Sequence, residues 1–114
     1  MNFLLLIIFI ALNPTTKAFA EKITSHKVIM KSISFDPKIL EIQQNQFVEW
    51  TNKSYSDHSA TAEDKKSFDT GFVGPGKSSQ QIQFKELGIF NYHCSIHGQT
   101  MSARIVVVPA KVQP

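Results

Sequence analysis

The chain has 114 residues, with twelve lysines and arginines against nine aspartates and glutamates, a net charge of about +3. That length allows one domain once a leader is set aside. The basic residues are scattered, with Lys65-Lys66 the only adjacent pair, so no nucleic-acid patch is present, and a single cysteine excludes an internal disulfide.

The first element is the apolar run from Phe3 to Leu12, followed by Ala18-Phe19-Ala20, a small-x-small cleavage site. This reads as a secretory signal peptide over residues 1–20, although the usual basic start is missing. The run is too short for an ordinary spanning helix. The expected mature domain is residues 21–114, periplasmic or otherwise exported, with no membrane span. Losing Lys17 leaves eleven basic residues against nine acidic ones, about +2. Such a charge permits weak attraction to an acidic partner and decides nothing more.

Short β-rich runs then recur, separated by turn residues, with no long helical period and no repeat. Strands are expected at 26–35, 38–43, 45–52, 58–62, 78–84, 88–94 and 103–109, with a Gly- and Pro-rich loop at 69–77. Seven short strands in about ninety residues indicate an antiparallel sandwich or barrel. Alternation nominates Trp50, Phe84, Phe90, Tyr92, Ile105 and Val107 as core. On the same phase Cys94 points inward at a strand end and His93 points out. Trp50 and Tyr92 read as packing residues, and His26 as a solvated strand residue.

The segment "NYHCSIHGQTM", 91–101, gathers the only cysteine, two of the four histidines and one of the three methionines. A free thiol in an oxidising compartment needs burial or an occupation, and metal ligation is one. Cys94 and His97, three positions apart across a strand end, can converge on one ion, and Met101 can approach from another side. A soft thiolate, an imidazole and a thioether suit copper cycling between Cu(I) and Cu(II). His58, in "SYSDHSATA", is the candidate for a further imidazole. Zinc fits less well, since structural zinc sites favour four firm ligands in close pairs. A Cys–His nucleophile lacks an orienting third group and leaves Met101 idle.

On "VEWTN", "DHSATA", "FDTGFVGPGKS", "FKELGIFNYHC" and "CSIHGQTMSARIVVV", the chain resembles the small blue-copper cupredoxins, especially the amicyanin, pseudoazurin and plastocyanin group. The resemblance implies a Greek-key antiparallel β-sandwich of about seven to eight strands. It also implies one copper ion held by His58, Cys94, His97 and Met101, and an electron carrier rather than an enzyme. Such a domain is expected to be a monomer that meets redox protein partners, with no nucleic acid involved. Delivery or buffering of copper, and a metal-free accessory β-sandwich, are the alternative functions.

Three residues separate His97 from Met101, where amicyanin-like loops have two and plastocyanin-like loops four. Ile96 stands where the family often has Pro, Ser59 where it often has Asn, and Ala103 where it has Gly. The loop length leaves Gln99 as a competitor for the axial position. Met101 is favoured because the "ARIVVV" run anchors it. Ile96 brings an N–H that a proline lacks, a candidate donor to the Cys94 sulfur. His97, in a loop at the sandwich end, is the expected electron port, flanked by Gly74, Pro75 and Gly98.

Overall fold

A computed structural model describes residues 24–111. Its elements, in chain order, are β1 (Ser25–Met30), β2 (Phe35–Asp36), β3 (Ile39–Gln43), β4 (Phe47–Asn52), β5 (Thr61–Ala62), β6 (Ile82–Gln83), β7 (Gly88–Cys94) and β8 (Gly98–Val108). They form two four-stranded sheets, ordered β2-β1-β4-β6 and β3-β8-β7-β5. The all-β sandwich of about eight strands is thus observed. The expected leader over 1–20 and its cleavage after Ala20 lie outside the described residues.

The sheets are mixed rather than wholly antiparallel. β1 runs parallel to β4, and β3 parallel to β8, while the other four pairings are antiparallel. From β2 to β7 the chain alternates between sheets, so strands adjacent in sequence seldom pair. Strand periodicity reports which face is buried and carries no information about the direction of a partner.

Boundaries moved where local hydrogen bonding won. The run expected at 26–35 breaks after Met30, where Lys31 N donates to Ser34 O at 2.8 Å and turns the chain back into β2. Within 58–62 and 78–84 only Thr61–Ala62 and Ile82–Gln83 join ladders. The last strand begins at Gly98, five residues earlier than its β-branched run suggested, which places Met101 within β8.

Alternation fills the core as the side-chain period of two requires. Val48 and Trp50 on β4 face Tyr92 and Cys94 on β7 and Met101, Ala103, Ile105 and Val107 on β8. Of the six expected core residues, five are buried, and Phe90 packs partly buried at the margin. Phe68, in a loop, supplies what the strands do not. Its ring stacks on Trp50 with centroids 5.4 Å apart and meets Phe84 and Tyr92 edge-on.

Trp50 Nε1 donates to Tyr92 Oη across the two sheets at 3.2 Å, both residues being wholly buried. Burial also drives the Tyr92 phenol far above its ordinary pKa, so it stays a neutral acceptor. Replacing Tyr92 with Phe strands the indole N–H in an apolar core. Tyr92→Phe is expected to cost about 1–3 kcal/mol in urea unfolding. Unchanged stability would mean that the indole N–H finds another partner.

Candidate metal centre

β7 and β8 bring Cys94 and Met101 to one end of the sandwich. Cys94 is the last residue of β7 and is fully buried. After three intervening residues the chain re-enters the sheet, with Gly98 opposite Cys94. Gly98 has φ +60, the left-handed backbone that lets so short a reversal close. One step back along the ladder His93 faces Ser102, so β7 advances one residue while β8 advances four. The three extra residues, Gln99, Thr100 and Met101, form a bulge at the mouth of the site.

That bulge sorts the two axial candidates. Met101 is fully buried. Gln99 is exposed, and its Nε2 donates to Glu63 Oε2 at 2.8 Å on the outer surface. The Gln99 amide is the main reason the Glu63 carboxyl is held below its usual pKa. His93 Nδ1 lies 3.0 Å from the same carboxylate oxygen, on the outward face.

His58 arrives from the other side. It forms a single antiparallel bridge with Val73, with Val73 N donating to His58 O at 2.7 Å and His58 N to Val73 O at 3.2 Å. Its ring is fully buried, and Nδ1 lies 3.6 Å from Cys94 Sγ. Among the described residues Nε2 has no hydrogen-bond partner. The ring centroids of His58 and His97 are 5.3 Å apart. Desolvation lowers the His58 pKa, as does the facing His97. Backbone groups of Lys31 and Ser32 and the charge of Asp57 oppose the shift without reversing it. A neutral imidazole is the form with a lone pair to give a metal.

The sulfur has one backbone donor, Ser59 N at 3.4 Å. Among the described residues Ile96 N makes no such bond, contrary to the expectation. Ser59 also accepts from Ser95 N at 2.9 Å and donates to Ser95 Oγ at 3.0 Å, tying the residue after Cys94 to the residue after His58. That tie went unseen in the sequence, where Ser59 and Ser95 are two of many serines.

His58 therefore approaches both Cys94 and His97, and Met101 is buried on the strand that faces Cys94. Among the described residues no three His, Cys, Asp or Glu side chains stand close enough to coordinate an ion as they lie. His97 is half-buried in the three-residue turn beside them.

A family model described as a cupredoxin-like domain matches residues 3–107. The chain belongs to the cupredoxin-like family. A purple cupredoxin from Nitrosopumilus maritimus is 22% identical, with a TM-score of 0.64 over 73% of this chain and 99% of that one. An oxidised amicyanin variant is 17% identical, with a TM-score of 0.66 over 73% and 81%. Those two share the fold. The Cu-containing nitrite reductase of Thermus scotoductus SA-01 is 30% identical, with a TM-score of 0.68 over 76% of this chain and 23% of that one.

In this cupredoxin-like chain the His58 ring should show its burial directly. In metal-free protein its NMR resonances should titrate below the ordinary imidazole value of about 6.5. Titration at or above that value would mean that the ring is solvated rather than held against Cys94.

Proposed function

We propose that this chain is an exported mononuclear type 1 copper protein that carries single electrons between redox protein partners. His58, Cys94, His97 and Met101 hold the ion. One observation carries the reading: a fully buried imidazole whose Nδ1 meets a lone cysteine sulfur at 3.6 Å, beside a second imidazole. Thiolate, two imidazoles and a buried thioether form a soft, mixed set that suits copper and lacks the four firm ligands of structural zinc. Bound copper would supply a one-electron Cu(I)/Cu(II) couple.

The chain's own groups prepare that position. The Ser59 N–H draws density from the sulfur and fixes its direction. Neutral His58 offers a lone pair without a proton to expel. The Ser59–Ser95 bonds keep two ligand-bearing loops in register, so little has to move between oxidation states. An N-terminal signal peptide over 1–20 belongs to the same proposal. The nitrite reductase relative is more than four times as long as the matched stretch, and its catalysis is not carried over.

Partner contact is assigned to the same end. His97 is half-buried there, and the loops of the site carry exposed apolar side chains: Ile96 in the same turn, Phe72 beside the His58–Val73 bridge, and Tyr55 in the loop that leads to His58. Gly98 makes a poor probe of this patch because its positive φ penalises any side chain.

Cys94→Ser is expected to abolish the intense visible band of the Cu(II)-loaded protein, since the charge transfer needs the thiolate. Absorption spectroscopy decides it, and a surviving band sinks the ligand assignment. Phe72→Glu should slow electron exchange with a redox partner about tenfold while leaving that band unchanged. Stopped-flow rates equal to the parent's would place the port elsewhere.

A further inference from the structure

Asn52 ends β4 at the site end of the sandwich and is fully buried. Its side-chain amide is saturated. Nδ2 donates to Ser56 O and to Val73 O, both at 2.8 Å. Oδ1 accepts from Ser54 N at 2.8 Å and from Ser54 Oγ at 2.7 Å. Its main chain is engaged as well, with Asn52 N donating to Lys77 O and Gly76 N donating to Asn52 O, each at 2.8 Å. One residue thus joins the end of β4 to two loops, 53–57 and 73–77.

Those are the loops that hold His58. The first runs directly into it, and the second pairs with it through Val73. The Val73 carbonyl receives the Asn52 amide and the His58 N–H together. The nearest replacements do not fit these demands. Aspartate keeps the acceptors and turns a carboxylate toward two carbonyl oxygens. Leucine has neither donor nor acceptor, serine is too short to span the loops, and glutamine is one methylene too long for a closed site.

We infer that Asn52 is the positioning residue for His58, setting through Val73 where the imidazole stands relative to Cys94. This rests on His58 being a metal donor. The competing account is that Asn52 merely stabilises the fold, as any satisfied buried amide does. The two differ in where loosening appears: a positioning residue frees its loops ahead of the rest, whereas a general stabiliser loosens everything through global unfolding.

The test uses Asn52→Asp and the milder Ser54→Ala in the full chain. Amide hydrogen exchange of the metal-free protein is read by NMR, and the Cu(II)-loaded protein by visible and electron-spin-resonance spectra. In Asn52→Asp the His58 and Val73 amides are expected to exchange about ten- to a hundredfold faster, beyond any change in the β7 and β8 amides. Its copper spectrum should shift. Ser54→Ala, which removes one bond to Oδ1, should give the same local pattern at smaller amplitude and serves if Asn52→Asp does not fold. Uniform acceleration across loops and strands, or locally faster exchange with a copper spectrum identical to the parent's, overturns the inference. Failure of the parent to take up copper would strike the proposed function instead, and the exchange pattern would still decide whether Asn52 anchors the His58 loops.

Discussion

Strand alternation on β7 is the constraint on which the rest of this structure depends. Side chains two apart share a face, so the choice that buries Tyr92 against Trp50 also aims Cys94 inward at the next inner position. The hydrogen bond between Trp50 and Tyr92 fixes the register of the two sheets where they pack. The thiol is then delivered one pleat further on, where the aromatic filling ends. β8 obeys the same rule from the opposite direction, its inner row running Val107, Ile105, Ala103, Met101. Core and site are consecutive members of the same two rows, and no separate device is needed to point either sulfur inward.

What strands alone cannot supply is the second side of the site, and here loops take over under hydrogen-bond control. His58 belongs to no ladder and makes one bridge. Its burial would be costly in an ordinary loop, because a buried imidazole must be neutral and its nitrogens satisfied. The chain meets the first demand by desolvation and by facing His58 with His97, which lowers its pKa. The second demand is left open at Nε2. Asn52, Ser54 and Ser59 account for most of their hydrogen-bonding capacity within a few residues of the ring.

Much of this was legible in the sequence, for reasons that lie in the kind of signal each residue sends. The inner rows of β4, β7 and β8 were readable because a period of two survives whatever the sheet topology. The Cys94–His97–Met101 segment stood out because soft side chains crowded so closely suit a metal better than they suit packing. Three features were not legible. Parallel pairing of β1 with β4 leaves no trace in either strand's own pattern. Phe68 fills the core from a loop, where no periodicity marks it. Extension of β8 back to Gly98 was hidden because Gly98, Gln99 and Thr100 look like loop residues. They are strand residues opposite a strand that is three residues shorter.

That mismatch bears on how the site is held. A turn of only three residues between Cys94 and Gly98 is stiff, and the extra length has been moved past the turn into the bulge. Gln99 and Thr100 face solvent there, and Gln99 is pinned to Glu63, so the bulge is tethered on its outer side while Met101 is packed on its inner side. A loop of unusual length can thus keep its methionine in the core row: the surplus residues go outward, where polar side chains lose nothing by being solvated, and the apolar one goes inward. The same division explains the surface above the site. Ile96 and Phe72 stay exposed although both are strongly apolar. Ile96 adjoins His97 in the turn, and Phe72 adjoins Val73, which bridges to His58. They leave apolar surface exposed in the turn that carries His97 and beside the bridge that holds His58.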